Sequence, residues 1–125
     1  MTLATQRQIE KVFKQADFDD FARLSGDDNP IHTDPVFCAG TRFGRPVAHG
    51  LLLCSVLRGM FDDLVPGGRV SEQAVMFPAP TYAGEPMCFM VGVAAEIDGV
   101  FELSLEVKRV NDGEVTCTGH ARVVS

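Results

Sequence analysis

The sequence lacks the features that mark nucleic-acid-binding, membrane-spanning or secreted proteins. Its 11 basic side chains form no run and are outnumbered by 17 acidic ones, so the net charge of −6 argues against the clustered positive surface that nucleic acids require. No apolar stretch approaches the roughly 20 residues that span a bilayer. The chain start, MTLATQRQ, has no apolar core of a secretory signal. We therefore expect a cytoplasmic protein that binds neither nucleic acid nor membrane.

Metal-ligand spacing is also missing. The four cysteines stand far apart in the sequence, and the three histidines complete no zinc-like pattern with them. Cys54, Cys88 and Cys117 fall on apolar patterns, which predicts buried thiols in a reducing compartment. We expect no metal and no cofactor.

The 125 residues suffice for one domain, 1–125, and contain no repeat or linker. In the first part, residues 5–13 are predicted to form a strand and 18–25 a short helix. Asp17 is expected to cap that helix, Gly26 to end it, and the pair Asn29-Pro30 to prevent it from resuming. A further turn of helix is expected at Asp34-Pro35.

Residues 48–63 form the clearest predicted helix. Apolar side chains occupy most of its circumference, which is typical of a helix buried in a core. Pro66-Gly67-Gly68 closes it.

The hydrophobic period then changes from helical to two, which predicts strands over 69–77, 86–97, 100–110 and 114–124. A long turn separates the first two, and Asp98-Gly99 and Asn111-Asp112-Gly113 are hairpin signals. Because 86–97 is apolar on both faces, we expect its second face to be covered, by a partner subunit. The pattern predicts an α+β fold in which an antiparallel sheet curls around the 48–63 helix.

The chemistry is concentrated in two segments. The first, SGDDNPIH at 25–32, places the carboxylate of Asp27 and the imidazole of His32 on one loop. Such a pair can hold a water and exchange protons with it, and Asn29 and the proline beside it can hold the loop in one shape. A turn residue and a satisfied loop histidine are the structural alternative. We expect the adjacent Asp28 to be a solvated turn residue.

The second segment, RPVAHG at 45–50, precedes the apolar helix. The N–H of Gly50 lies where helical amides lack partners and where the helix dipole favours negative charge, so it could stabilise a developing oxyanion. Tight helix packing is an equally good reason for a glycine here. His49 could cap the helix start, contact the loop that carries Asp27 or bind the polar tail of the substrate, and we expect it to position rather than to catalyse. His120 is expected to lie on the surface.

FARLSGDDNPIH at 21–32 resembles the signature of the MaoC-like (R)-specific enoyl-CoA hydratases and dehydratases, in which Asp, Asn-Pro and His recur at this spacing. FGRPVAHGL at 43–51 and FPAPTYAGE at 77–85 are similar to two further segments of the same family. The resemblance covers about residues 15–125.

The resemblance implies a hot-dog fold and hydration of a trans-2-enoyl thioester to an (R)-3-hydroxyacyl thioester. Asp27 and His32 would be the catalytic pair, the Gly50 amide the oxyanion donor, and Asn29 the brace of the loop. The implied partners are an acyl-CoA substrate and a second copy of the chain, in a homodimer or a higher homo-oligomer.

Three other functions remain open at this point. The first is a 3-hydroxyacyl dehydratase acting on an acyl carrier protein, which a local patch of Arg42, Arg45 and Arg58 would favour. The others are an acyl-thioester-binding domain without turnover and a thioesterase. Arg58 also leaves the length and polarity of the acyl group open, since a charge on the central helix could restrict the pocket.

Overall fold

A computed structural model describes residues 5–125. Residues 1–4 lie outside the described residues; they belong to the predicted domain and to the chain start in which no secretory signal was found. Within 5–125, five antiparallel strands form one sheet in the order β1-β3-β4-β5-β2. Their bounds are Gln6–Val12 for β1, Arg69–Met76 for β2, Pro86–Ile97 for β3, Val100–Arg109 for β4 and Val115–Val124 for β5. All five predicted strands are confirmed, each within one residue of its expected ends.

The period of two determines which strand face meets the core. In β4, Leu103, Leu105 and Val107 are buried on one face, while Ser104 and Lys108 are exposed on the other. The turn between β3 and β4 has Asp98 at φ 52° and Gly99 at φ 78°. Two consecutive positive φ values match the right-handed twist of the flanking strands, which is why Asp-Gly marked this hairpin in the sequence.

Four helices lie in the described residues: α1 Gln15–Ser25, α2 Pro30–Thr33, α3 Pro35–Ala39 and α4 Gly50–Leu64. The prediction that Asp17 caps α1 is wrong, because the helix begins earlier, after Lys14. Asp17 instead lies in the first turn, where its carboxylate accepts a hydrogen bond from the Lys14 N–H at 2.8 Å. The prediction for α3 is confirmed, since the Asp34 carboxylate accepts from the N–H groups of Val36 and Phe37. No helix in 5–125 is long and apolar enough to cross a membrane.

Helix α2 is the element that the sequence interpretation missed. Gly26 ends α1 as expected, but the expectation that Asn29-Pro30 prevents a helix from resuming is wrong, because this pair starts a new helical turn. Proline has no N–H to lose at the first helical position, and its fixed φ suits that position. The Asn29 side chain accepts from the Ile31 N–H at 3.1 Å and caps the new turn.

Helix α4 packs on one face of the sheet and supplies the centre of the core. Its buried side chains are Leu53, Leu57, Met60, Phe61 and Leu64. They pack against the inward face of the sheet, in a cluster that contains Phe89, Val91, Leu103, Leu105, Val107, Cys117, Ala121 and Val123.

The expectation that this helix is buried all round is wrong for residues 5–125 of a single chain. Leu51 is 70% exposed, and Arg58 and Gly59 are exposed as well. A sheet on one side can cover only about half of a helix, so the opposite face meets solvent here. Arg58 therefore does not line the cavity described below.

Two smaller predictions concern the rest of the surface. His120 is exposed on β5, as expected, with its Nε2 3.9 Å from Glu72 Oε1. On the second face of β3, the side-chain amides of Gln6 and Gln8 contact the sulfurs of Met90 and Cys88. Strand β1 thus covers part of the face for which we expected a partner subunit.

Candidate active site

A cavity of about 820 Å³ opens beside the N-terminus of α4. The Asp27 carboxylate, the first turn of α4 at Gly50 and the segment Pro78–Tyr82 all contribute to its wall. Apolar side chains complete the lining, among them Val47, Leu53, Val75 and Phe77. The cavity is large enough for a flexible organic ligand, and its wall combines apolar side chains with polar and charged ones.

Asp27 is part of the cavity wall, and His32, which is not a wall residue, lies beside it. His32 Nε2 lies 3.8 Å from Asp27 Oδ2, which is too long for a direct hydrogen bond. A water at about 2.8 Å from each atom would fit beside the pair. The carboxylate is half exposed, while the imidazole retains only 14% of its side-chain exposure.

A hydrogen bond to a backbone carbonyl determines which ring nitrogen of His32 carries the hydrogen and which one directs its lone pair toward Asp27. His32 Nδ1 lies 2.8 Å from the Val47 carbonyl oxygen. A carbonyl only accepts, so Nδ1 carries the hydrogen and the neutral ring presents the lone pair of Nε2 toward Asp27. The histidine is thereby oriented as a proton acceptor for a water held between the two side chains.

The Asn29 cap of α2 holds the short path between the pair. Its side-chain oxygen is fixed on the Ile31 N–H, and its own N–H points at Asp27 Oδ1 from 3.5 Å. Asp28, the other candidate carboxylate, is exposed and absent from the cavity wall. The structure thus separates the two neighbouring aspartates, as the sequence interpretation expected.

Gly50 is the first residue of α4, after His49 in extended conformation. Among residues 5–125, the Gly50 N–H donates to no backbone or side-chain acceptor, so it is free to bind a ligand in the cavity. A Cβ at this position would meet the ring of Phe77 at 2.6 Å. The close approach of Phe77 supports the packing reason for a glycine here, and the oxyanion role of the free amide stays a prediction.

The segment before α4 links the two parts of the site. The Val47 N–H donates to the Ile31 carbonyl at 3.1 Å, and the Ala48 N–H donates to the Thr81 carbonyl at 2.8 Å. Residues 47 and 48 are therefore anchored on one side to α2, which carries His32, and on the other to the cavity wall. This bracing fixes the position of Gly50 relative to the Asp27–His32 pair.

His49 is 2% exposed and contacts both members of that pair. Its Nε2 donates to the Asp27 carbonyl oxygen at 2.9 Å, and its ring stacks on His32 with centroids 3.8 Å apart. Among the roles considered from sequence, the structure shows the contact with the loop that carries Asp27. It also places His49 directly before the first residue of α4. Its side chain makes no hydrogen bond that caps the helix.

Asp27, His32 and His49 each offer a ligand atom within 4.8 Å of the others, a spacing at which a metal ion could be considered. An imidazole binds a metal in the plane of its ring, along the nitrogen lone pair. The two rings are stacked with planes only 21° apart, so their in-plane lone pairs do not converge on one point. The trio therefore does not fit a metal unless a ring turns.

Several residues of the wall were not singled out from the sequence. The Thr81 hydroxyl is buried, and it has no hydrogen-bond partner among the described residues. Cys54, one turn after Gly50, was predicted as a buried thiol but is only partly buried, whereas Cys88 and Cys117 are buried as expected. Burial raises the pKa of the Cys54 thiol, and Arg58 lowers it by less. For the wall segment Pro78–Tyr82, which contains Thr81, the signal in the sequence was the similarity of residues 77–85 to a family segment.

The strand order and the central helix define a hot-dog domain, in which the Asp27–His32 pair and the free Gly50 amide lie beside one cavity. The family described as "MaoC like domain" matches residues 2–115, so this chain belongs to the MaoC-like family. The resemblance noted from the sequence is thereby confirmed, and so is the hot-dog fold it implied.

Individual relatives agree with the assignment to this family. The (R)-specific enoyl-CoA hydratase of Aeromonas caviae is 36% identical over 97 residues, covering 76% of this chain and 72% of that protein. The 3-hydroxybutyryl-CoA dehydratase of Methylorubrum extorquens is 35% identical over 88 residues, covering 69% of this chain and 56% of that protein. A solved structure of the A. caviae (R)-hydratase, involved in PHA biosynthesis, has a TM-score of 0.90 at 31% identity and covers 99% of this chain and 96% of that one.

Proposed function

We propose that this protein is an (R)-specific enoyl-CoA hydratase, which adds water across a trans-2-enoyl-CoA thioester and catalyses the reverse dehydration of (R)-3-hydroxyacyl-CoA. The observation that carries the proposal is the joint placement of three groups at one cavity. Asp27 and Gly50 both line it, and His32, just outside the wall, has its Nε2 3.8 Å from the Asp27 carboxylate. This arrangement supplies a site for water and a site for negative charge.

Binding begins with the thioester carbonyl at the N-terminus of α4. The carbonyl oxygen accepts from the free Gly50 N–H, and the helix dipole adds to the attraction for negative charge. Electron density then shifts from the conjugated double bond toward that oxygen. The β-carbon becomes electrophilic as a result.

The Asp27–His32 pair activates the water. The neutral His32 accepts one proton of the water at Nε2 while the water oxygen bonds to the β-carbon. Asp27 accepts a hydrogen bond from the other O–H, which stays on the oxygen, and thereby orients the water. The resulting enolate is held at Gly50. A proton from the pair then bonds to the α-carbon and the carbonyl re-forms, so one hydrogen and one hydroxyl have been added and the pair is regenerated.

The assay that tests this function follows the loss of conjugated-thioester absorbance with crotonyl-CoA and longer enoyl-CoA substrates. The product is then offered to a dehydrogenase specific for the (R)-3-hydroxyacyl isomer, which we expect to oxidise it. Release of free coenzyme A, detected with a thiol reagent, would instead support a thioesterase. Binding without any turnover would support a non-catalytic domain, and either result would contradict the proposal.

The same assay addresses the carrier. Equal enoyl groups are supplied on coenzyme A and on acyl carrier protein, and we expect the higher kcat/KM with coenzyme A. The net charge of −6 disfavours an acidic carrier protein. The arginine patch that would favour such a carrier is reduced, because Arg45 is paired with Glu85 and only Arg42 of the three arginines lines the cavity. Arg109, also at the wall, is engaged by Glu85 and Asp112. A preference for the carrier protein would replace the hydratase assignment with the dehydratase alternative.

We also propose a homodimer and a cytoplasmic location. Leu51, 70% exposed, and Phe77, 45% exposed, lie at the cavity wall, where a second copy would remove apolar surface from water. All four cysteines are free thiols, which suits a reducing compartment. Sedimentation equilibrium tests the assembly, and a monomer mass at micromolar concentration would contradict it.

A further inference from the structure

We propose that His49 is a positioning residue, which fixes the Asp27–His32 pair relative to the oxyanion donor Gly50 without touching the reacting atoms. The inference rests on the proposed function. It selects one of the roles that the sequence left open for His49, the contact with the Asp27 loop, over a contact with the substrate. His49 combines three contacts or connections, one to each of the groups that the mechanism uses.

The first contact holds the loop that carries Asp27. His49 Nε2 donates to the Asp27 carbonyl oxygen at 2.9 Å. The exposed Asp27 loop has few other hydrogen bonds to distant segments, since the backbone N–H and the carboxylate of Asp27 bond to Ser25 and Asn29 within the loop. The His49 bond therefore anchors an otherwise local turn to the protein interior.

The second contact holds the ring of His32. The two imidazoles stack with their centroids 3.8 Å apart and an angle of 21° between their planes. The ring centroid of Phe21 lies 4.9 Å from that of His49. Stacking fixes the rotation of His32 about its Nδ1 hydrogen bond to Val47, so that Nε2 stays directed at Asp27. A ring rotation would move that lone pair away from the water.

The third connection is covalent. His49 is the residue before Gly50, and its neighbour Ala48 is bonded to the Thr81 carbonyl at 2.8 Å. The side chain that holds the acid/base pair therefore belongs to the same rigid segment as the oxyanion amide. Acid/base chemistry needs this spacing to be accurate to about 0.5 Å.

His49 itself is poorly placed to transfer protons. It is 2% exposed, its Nε2 hydrogen is committed to Asp27, and its Nδ1 has no partner among residues 5–125. A second proton would create a buried cation with no hydrogen-bond acceptor for it. The neutral ring thus serves as a donor on one edge and a stacking surface on its face.

Three variants separate these contributions. His49→Leu removes the donor and the ring, His49→Gln keeps a donor near the position of Nε2, and His49→Phe keeps the ring without the donor. His120→Gln, on the exposed face of β5, is the matched histidine control. For each protein, kcat and KM are measured with crotonyl-CoA, and thermal unfolding reports on folding.

We expect His49→Leu to lower kcat by about 30- to 100-fold, the size of effect that a misplacement of about 1 Å can cause, with KM within about 3-fold of the original. His49→Gln should recover at least about 5-fold of the lost kcat, because it restores the anchor on Asp27. The His120→Gln control should match the unmodified protein.

Three results would overturn the inference: a folded His49→Leu with nearly unchanged kcat, a His49→Gln no better than His49→Leu, or a loss confined to KM, which would indicate direct substrate binding. If His49→Leu does not fold, the comparison of His49→Gln with His49→Phe carries the test. Nitrogen-15 NMR of the unmodified protein adds a readout that needs no variant. We expect His49 to be the Nε2–H tautomer, and an Nδ1–H tautomer would contradict the inference, whereas an inactive unmodified enzyme would contradict only the proposed function.

Discussion

The imidazole rings of His32 and His49 are stacked with their centroids 3.8 Å apart. Each ring gives one N–H to a backbone carbonyl, His32 to Val47 and His49 to Asp27. The two rings therefore have different tasks although they touch. His32 keeps a lone pair directed at the cavity carboxylate, while His49 is enclosed and holds the loop beneath it.

The oxyanion role of Gly50 can be separated from its packing role. Gly50→Ala alone should be destabilised, because the new Cβ would meet Phe77 at 2.6 Å. Adding Phe77→Leu shortens the obstructing side chain, and in that background Gly50→Ala retains the N–H while Gly50→Pro removes it. Proline is tolerated at the first helical position, and His49 already has the extended conformation that a following proline requires.

In the Phe77→Leu background, we expect kcat with crotonyl-CoA to be about 100- to 1,000-fold lower for Gly50→Pro than for Gly50→Ala, the usual loss when one oxyanion donor is removed. Circular dichroism confirms that both proteins fold. Equal kcat values in the two double variants would show that the amide does not stabilise the transition state.

The cap at Asn29 should affect turnover beyond its effect on stability. Asn29→Ala removes the acceptor for the Ile31 N–H and should lower the free energy of unfolding by about 1 kcal/mol. Because this cap lies between Asp27 and His32, kcat should fall as well, and Asn29→Asp, which keeps an acceptor, should restore much of it. Urea unfolding and the hydration assay measure the two quantities.

Asp34 offers the matched control, since its carboxylate caps the next helix, α3. Asp34→Ala should cost a similar free energy of unfolding and leave kcat closer to that of the unmodified protein. If the two alanine variants lose kcat in equal proportion, the Asn29 cap has no special connection to the site.

The buried thiol of Cys117 makes stability depend on pH in the alkaline range. Burial raises the pKa of Cys117 to about 12, with a smaller contribution from Cys54. A thiol in the unfolded chain has a pKa of about 8.5. Between these two values the unfolded chain loses a proton that the folded chain retains, so the free energy of unfolding falls as pH rises. Urea unfolding at pH 8 and pH 10 should show a larger fall for the unmodified protein than for Cys117→Ala. An identical fall in both would exclude this thiol as a cause.

The strands were predictable because their information is local. The alternation in 100–110 and the Asp98-Gly99 turn depend only on neighbouring residues, and both agree with the structure. Errors arose where two local signals competed. Asp17 is a good helix cap but is the third residue of α1. Asn29-Pro30 disfavours the continuation of a helix from before it, yet it caps and begins a new one.

The site was predictable only in part, because its geometry depends on contacts between distant segments. The sequence identified Asp27, His32 and Gly50 as the groups able to do the chemistry, and the structure brings Asp27 and Gly50 to one cavity, with His32 beside the carboxylate. It could not indicate that His49 stacks on His32, since residues 17 positions apart show no pairing signal in one sequence. For the same reason the covering of Gly50 by Phe77 was not foreseen.

The proposed mechanism depends above all on joint activation of the water by Asp27 and His32. The decisive comparison sets the kcat/KM of crotonyl-CoA hydration for Asp27→Asn and His32→Ala against that of Asp28→Asn, an exposed neighbour outside the cavity wall. All three variants should fold, as judged by circular dichroism and thermal unfolding. We predict losses of at least about 100- to 10,000-fold for the first two and little change for Asp28→Asn, as expected for removal of a general acid/base group. Turnover close to that of the unmodified protein in folded Asp27→Asn or His32→Ala would contradict this mechanism.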